Sequence, residues 1–122
     1  MNTIKANPAW VKDKKIADDF VLRLLPKDVG AFVIGLSGDL GAGKTAFTKC
    51  VARSFGVEDT VTSPTFVIEK IYELSNQKFT HLIHIDAYRL DSSNELLNLG
   101  CQKSIEDRNN LILIEWPERV ID

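Results

Sequence analysis

The sequence predicts one α/β domain with a small mixed sheet, and three observations lead to that prediction. Short apolar runs at 31–37, 79–85 and 111–114 are typical of buried strands. Helical segments lie between these runs, as the crossovers of a parallel core require. A further run at 66–74 lies just before the second of these strands, and the short spacing favours an antiparallel hairpin.

The first predicted element is a helix from Val11 to Leu25, which opens around 8–12. Its apolar residues recur at the spacing of one helix face. Pro26 cannot continue a helix, and the segment 27–30 forms the loop that leads into the strand at 31–37. The apolar face consists of Ile16, Ala17, Phe20, Val21, Leu24 and Leu25.

A glycine-rich segment, 38–43, follows that strand directly, and a second helix is predicted from Lys44 to Phe55. Gly56 is a plausible stop for this helix. Phe47, Val51 and Phe55 share one helix face. The local order is therefore strand, glycine-rich loop, helix.

The second half of the chain adds short elements to this frame. A polar loop at 60–64 precedes the predicted hairpin, and short helices are expected from Ser93 to Leu99 and from Gln102 to Asp107. Gly100 ends the first of these two helices. The strand at 111–114 then closes the pattern.

Composition limits the classes of function. The 122 residues fit one domain, and the net charge of −2 gives no basic surplus for nucleic-acid binding. The N-terminus lacks the charged start and the apolar run that are typical of a signal peptide. No apolar stretch is long enough to span a membrane. Cys50 and Cys101 have no metal-binding spacing, so we expect buried, reduced thiols in a cytoplasmic protein.

The segment from Gly38 to Thr45, GDLGAGKT, matches the phosphate-binding pattern G-x-x-x-x-G-K-[ST]. Its glycines let the backbone N–H groups wrap a phosphate, and the helix that starts at Lys44 points its positive dipole end at the same anion. Lys44 would pair with the β and γ phosphates and Thr45 would ligate Mg²⁺. These features predict a P-loop NTPase-like three-layer sandwich that binds a nucleoside triphosphate.

Two acids end apolar strands, and either could serve the metal. Asp86 follows HLIHI and Glu115 follows LILI, at strand ends that gather beside the phosphate loop in an open α/β sheet. One acid would orient the Mg²⁺ shell, and the other would position water or sense the γ-phosphate. The alternative for each is a carboxylate that caps the following turn. His81 and His84 face opposite sides of a strand and are interpreted as structural.

Three further features stay open on the residues alone. The loop Thr62–Thr65, TSPT, could contact the γ-phosphate or form an ordinary turn. Trp116 could pack on the nucleotide or fill the core. Arg89 is more typical of a solvated surface arginine than of a phosphate ligand.

Four ordered segments carry a resemblance to a known family. They are GDLGAGKT at 38–45, TSPTF at 62–66, HIDAYRL at 84–90 and IEWPE at 114–118. This set closely resembles the TsaE (YjeE) family of small bacterial P-loop ATPases, from about Phe32 to Glu118. The second and fourth segments are more diagnostic than the phosphate loop, which very many proteins share.

The resemblance implies a role in threonylcarbamoyl modification of adenosine 37 of tRNA, together with the TsaD and TsaB proteins. It implies weak hydrolysis of ATP with Mg²⁺ by the chain alone, contact with tRNA only through that complex, and no membrane. The free chain is expected to be a monomer.

The resemblance also implies residue roles. Lys44 would bind phosphate, Thr45 and Glu115 would hold Mg²⁺, and Asp86 would be needed for hydrolysis. The segment around 10–13 would approach the base. The residues expected to contact the nucleotide are Asp39, Leu40, Gly41, Ala42, Gly43, Lys44, Thr45, Ala46, Thr62, Thr65 and Trp116.

Family members usually continue beyond the IEWPE segment, so the resemblance implies a single domain, 1–122, that lacks a C-terminal part. Two alternative functions remain. One is a small-molecule kinase, although no arginine-rich lid segment is present. The other is a binding module that nucleotide gates through Thr62–Thr65 without essential hydrolysis.

Overall fold

The computed structural model describes residues 2–5, 14–38, 43–58 and 69–120. Its strands are β1 (Asn2–Lys5), β2 (Phe32–Ser37), β3 (Glu69–Glu73), β4 (His81–Asp86) and β5 (Asn110–Glu115). Its helices are α1 (Lys14–Arg23), α2 (Lys44–Ser54), α3 (Ser93–Leu96) and α4 (Gln102–Glu106). A π-helical turn, Leu97–Cys101, joins α3 to α4, and a 3₁₀ turn, Pro117–Arg119, follows β5.

The five strands form one mixed sheet in the order β1-β2-β5-β4-β3. β1, β2, β5 and β4 run parallel to one another, whereas β3 pairs with β4 in the antiparallel direction. The predicted α/β class, parallel core and antiparallel hairpin are therefore confirmed.

β1 is an element that the sequence pattern does not reveal. Its four residues, NTIK, have no apolar run, and its register pairs Ile4 with Leu36 of β2. The hydroxyl of Ser37 also donates a hydrogen bond to the carbonyl of Ile4, at 3.3 Å. Pairing with the edge of β2 makes this segment a strand, because the partner strand satisfies its backbone groups.

One side of the sheet, which we call the closed face, is covered by α1 and α2. The ring of Phe20 meets that of Phe47 edge-on at 5.3 Å, and Phe55 meets Phe79 in the same way at 6.2 Å. Aromatic pairs of this geometry add to the stabilisation by apolar burial. The strand residues of the closed face are Ile34, Leu36, Tyr72, Leu82, Leu111 and Leu113.

The opposite side, which we call the grooved face, carries only short helical segments. α3, the π-helical turn and α4 pack over the strands but leave an apolar groove of about 540 Å³. Leu97 of the π-helical turn lines this groove and remains 38 % exposed. The buried strand residues of the grooved face are Ile83, Ile85, Ile112 and Ile114.

The first predicted helix differs in detail from the structure. α1 ends at Arg23, and two members of its predicted apolar face, Ile16 and Leu25, are exposed. The predicted start of α1 at 11–13 lies outside the described residues. Gly100 has a left-handed φ of 89°, which interrupts the helical backbone as predicted, and the kink lies within the π-helical turn between α3 and α4. In the ranges that the structure describes, no helix is long and apolar enough to cross a membrane.

Candidate nucleotide and metal site

The carboxyl ends of β4 and β5 bring the two predicted acids together. Asp86 and Glu115 are register partners on these adjacent parallel strands, and their residues are 5 % and 4 % exposed. Strand side chains alternate between faces, so both acids lie on the closed face with Leu82 and Leu113. We call this place the carboxyl edge, formed by Gly38, Lys44, Thr45, His84, Asp86, Glu115 and Trp116.

α2 begins at this edge with the lysine of the phosphate-binding pattern. Gly43 caps the helix with a φ of 92°, a left-handed conformation that favours glycine. The Nζ atom of Lys44 donates to the carbonyl of Gly38 at 2.5 Å and lies 4.2 Å from the ring centroid of Trp116. A carbonyl and an aromatic face thus compensate for the burial of this ammonium group.

Thr45, the next residue of α2, contacts the acid that ends β5. Its hydroxyl lies 2.9 Å from Oε2 and 3.1 Å from Oε1 of Glu115, and it donates to this carboxylate. The two residues are far apart in sequence, and the packing of α2 on the closed face brings them into contact. The structure thus joins the two side chains that were predicted to hold Mg²⁺.

A histidine that sequence reasoning treated as structural also belongs to this cluster. Nε2 of His84 lies 2.5 Å from Oε2 of Glu115, and the histidine is fully buried. His84 and Glu115 are diagonal neighbours, because His84 pairs in register with Leu113. The alternation of HID along β4 was the signal that could have placed His84 on the same face as Asp86.

Asp86 is engaged in the turn that follows β4. Its Oδ1 atom accepts a hydrogen bond from the backbone N–H of Tyr88 at 2.9 Å. The backbone N–H of Ala87 donates to the carbonyl of Glu115 at 3.0 Å, which ties this turn to β5. One oxygen of Asp86 therefore caps the following turn, as the alternative interpretation predicted. The same hydrogen bond holds the carboxylate at the carboxyl edge.

Trp116 links the lysine to the surface. Its φ of 59° is left-handed, which is uncommon for a residue with a side chain. Its half-buried ring lies 5.1 Å from the ring of Tyr88, and the guanidinium of Arg119 lies 5.6 Å from the Tyr88 ring. Lys44, Trp116 and Tyr88 form a continuous series of contacts from the carboxyl edge to an exposed side chain.

The donor set at the carboxyl edge fits Mg²⁺. Hydroxyl and carboxylate oxygens are the hard ligands that this ion prefers, and it usually takes one or two carboxylates together with substrate phosphates and waters. Within the described ranges, no group of three or more His, Cys, Asp or Glu side chains could hold a metal ion by itself. At the carboxyl edge, the Thr45 hydroxyl and the Glu115 carboxylate would supply ligands of the preferred kind.

Several predicted contacts fall outside the described residues. These are Asp39, Leu40, Gly41, Ala42, Thr62 and Thr65, together with the segment 10–13. Gly43, Lys44, Thr45, Ala46 and Trp116 are described. Ala46 lies half-buried in the first turn of α2, and Arg89 is exposed in the turn after β4.

One thiol outside the carboxyl edge has a perturbed pKa. Burial raises the pKa of Cys101 on the grooved face to about 12, and a hydrogen bond and negative charge from Glu69 act in the same direction. Cys101 is buried as expected, whereas Cys50 is only half-buried, and both are free cysteines.

Comparison with known proteins adds independent findings. The sequence model of the family described as "Threonylcarbamoyl adenosine biosynthesis protein TsaE" matches residues 11–122. A crystal structure of Bacillus subtilis YdiB superposes with a TM-score of 0.60 at 31 % sequence identity, covering 93 % of this chain and 62 % of that one.

Curated relatives carry the name tRNA threonylcarbamoyladenosine biosynthesis protein TsaE. The relative from Rickettsia felis is 42 % identical over 86 % of this chain and 57 % of its own length. The relative from Borreliella burgdorferi is 40 % identical over 76 % of this chain and 64 % of its own length. The matched region therefore spans between half and two thirds of each of these relatives.

Proposed function

We propose a function from one premise: this chain belongs to the TsaE family of threonylcarbamoyl adenosine biosynthesis proteins. The chain binds ATP with Mg²⁺ at the carboxyl edge and takes part in tRNA threonylcarbamoyladenosine biosynthesis in the cytoplasm. It hydrolyses ATP weakly alone and acts on a complex of TsaD and TsaB. Its contact with tRNA is indirect, which agrees with a net charge of −2.

The observation that carries this proposal is the contact between Thr45 and Glu115, at 2.9 Å. It joins the first turn of the phosphate-binding helix to the end of a central strand, as Mg²⁺-dependent P-loop proteins require. Mg²⁺, when bound, neutralises negative charge on the phosphates. The chain's part is to present the Thr45 hydroxyl and the Glu115 carboxylate on one side of the triphosphate.

Lys44 and Asp86 have complementary roles in this proposal. Lys44 exchanges the carbonyl of Gly38 for the β and γ phosphates, which are stronger partners for an ammonium group. Asp86, which the Tyr88 N–H holds in place, accepts a hydrogen bond from the attacking water. Asp86 and Glu115 thus divide water positioning and metal binding between two neighbouring strand ends.

ATP turnover, measured with and without TsaD–TsaB, tests these roles. Lys44→Ala and Glu115→Ala are each expected to lower turnover roughly a hundredfold or more, because each removes charge stabilisation from phosphoryl transfer. Lys49→Ala is the matched control, since Lys49 is a half-buried lysine of the same helix. Unchanged turnover in both Lys44 and Glu115 variants would contradict the assigned roles. Phosphate transfer to a metabolite in the same assay would instead favour a kinase.

A second candidate function is nucleotide-gated binding without essential hydrolysis. The contacts from Lys44 through Trp116 to Tyr88 favour it, because occupancy of Lys44 by phosphate would change what Trp116 contacts and Tyr88 is 39 % exposed. Partner affinity would then depend on which nucleotide is bound. Equal affinity of the chain for TsaD–TsaB with ATP, with ADP and without nucleotide would exclude this function.

A further inference from the structure

We propose that His84 is a positioning residue whose Nε2–H fixes the orientation of the Glu115 carboxylate at the Mg²⁺ site. The inference rests on the proposed function, because it assigns a role to a side chain behind the proposed metal ligand. It goes beyond that function by predicting that affinity for Mg²⁺ depends on a residue that touches neither nucleotide nor metal.

The contact between His84 and Glu115 is short and buried. Nε2 of His84 lies 2.5 Å from Oε2 of Glu115, and the two residues are 0 % and 4 % exposed. A carboxylate that binds a metal ion only accepts hydrogen bonds, so the proposal assigns the hydrogen of this contact to Nε2 of His84. Among the described residues, Nδ1 of His84 has no hydrogen-bond partner, so the ring makes its side-chain hydrogen bond there through Nε2 to Glu115.

Two donors to Glu115 are found among the described residues, and they come from different parts of the fold. Thr45 lies on α2, next to the residue that would move to bind phosphate, whereas His84 lies within β4 between β3 and β5. The paired strand and the buried ring make His84 the more rigid donor. A carboxylate ligand held from behind loses less rotational freedom when it binds an ion, and such outer contacts tune metal affinity.

The alternative is that His84 only fills space on the closed face. Three variants separate the two roles. His84→Leu keeps apolar volume without a donor. His84→Asn places its amide near the Nδ1 position and cannot reach Glu115, whereas His84→Gln carries an N–H donor about as far as Nε2.

The measurement is the dissociation constant of a fluorescent ATP analogue, first in EDTA and then as Mg²⁺ is titrated. His84→Leu and His84→Asn should raise the Mg²⁺ concentration at half-maximal tightening about 10- to 100-fold. Their dissociation constants in EDTA should stay within about twofold of wild type, because affinity without metal depends on the phosphate-binding loop. His84→Gln should recover most of the Mg²⁺ response.

A double variant sharpens the test. In a Glu115→Gln background, His84→Leu should have little further effect on the Mg²⁺ midpoint, since the two side chains act as one unit. A wild-type Mg²⁺ response in folded His84→Leu or His84→Asn would overturn the inference. Equal weakening in EDTA and in Mg²⁺ would also overturn it, because that result indicates a general structural role.

The failure of the proposed function gives a different result. In that case the wild-type chain itself would bind the analogue equally with and without Mg²⁺, and the inference would fall with it. Circular dichroism of each variant establishes that it is folded. If His84→Leu does not fold, the contrast between His84→Asn and His84→Gln decides the question, because both are polar and differ in reach.

Discussion

The two faces of the sheet are built from similar strand residues but are covered differently. On the closed face, the 10-residue α1 and the 11-residue α2 seal the strands with aromatic contacts. On the grooved face, α3 and α4 have four and five residues and leave an open apolar groove. The site lies at the end of the closed face, because α2 both packs on these strands and carries Lys44 and Thr45.

This difference shows how rigidity is distributed. A polar cluster of Lys44, His84, Asp86 and Glu115 can stay buried only where the surrounding packing holds every hydrogen bond in place. The closed face provides that packing. The grooved face does not carry this polar cluster, so its packing can leave apolar side chains such as Leu97 partly exposed.

The largest expected difference between the faces is in the cost of a cavity. Leu113 and Ile112 are neighbours on β5, both fully or almost fully buried, and they point to the closed and the grooved face respectively. Leu113→Ala should lower the free energy of unfolding by about 3–5 kcal/mol, and Ile112→Ala by about 2 kcal/mol, because Ile112 already borders open space. Urea titration measures both values. Equal losses would mean that the two faces are packed alike.

The reactivity of Cys101 tests whether the buried residues of the grooved face stay inaccessible to solvent. With the pKa of Cys101 raised to about 12, its thiolate fraction at pH 8 falls roughly a thousandfold relative to a thiol with the ordinary pKa of 9.0. Iodoacetamide should therefore label Cys101 that much more slowly in a folded Cys50→Ala chain than in urea. Labelling at the unfolded rate would show that this face opens locally.

The same pKa shift has a pH consequence for stability. The folded pKa of Cys101 lies above the unfolded one, so the folded chain retains this proton as pH rises. Its contribution to stability is complete below pH 9 and is lost as pH rises toward about 12. Cys101→Ala should remove this alkaline dependence, which urea titrations at pH 8 and pH 10 can measure.

A smaller effect is expected where β2 meets the 3₁₀ turn. A Cβ atom on Gly35 would lie 2.8 Å from Cγ of Pro117 and 3.0 Å from the Thr3 hydroxyl. Gly35→Ala should lower the free energy of unfolding by about 1–3 kcal/mol, because the packed turn must shift. Adding Pro117→Ala removes Cγ and should recover part of the loss in thermal unfolding. An unchanged midpoint for Gly35→Ala alone would show that this end of the sheet is loosely packed.

The smallest expected effect concerns the cap of the short α3. The hydroxyl of Ser92 accepts a hydrogen bond from the N–H of Glu95, and the Glu95 carboxylate accepts one from the N–H of Asp91. Ser92→Ala should cost about 0.5–1 kcal/mol, because a helix of four residues depends on its cap. The exposed Ser75 is the control, and Ser75→Ala should change stability by less than about 0.5 kcal/mol. A loss no larger than that of the control would show that the groove residues alone hold α3.

Strong local patterns made most of the fold predictable. The apolar runs 31–37, 79–85 and 111–114 became β2, β4 and β5, because a buried parallel strand is apolar on both faces. The phosphate-binding pattern located the start of α2 to the residue, since Gly43 is the left-handed position that precedes the helix. Ile16 lies in the first turn of α1 and Leu25 lies beyond its last residue, and both are exposed, so periodicity is a weak guide at helix ends.

Two features could not be predicted in this way. β1 has no pattern of its own, and it is a strand because β2 offers it a free edge. His84 looked structural because its spacing from His81 argues against a shared site, but the relevant partner is on another strand. Which residue of β5 faces His84 depends on register, and register is a property of the pair of strands.

The sequence by itself determined the α/β class, the mixed sheet, the helix that follows the phosphate-binding pattern and the two acids at strand ends. These features follow from the spacing of residue types along the chain, which does not depend on how the chain folds. Only the tertiary structure decided that Thr45 and His84 meet on the same carboxylate of Glu115, and that Lys44 lies against Trp116. Those contacts join residues of different elements, and their geometry exists only once α2 packs on the closed face.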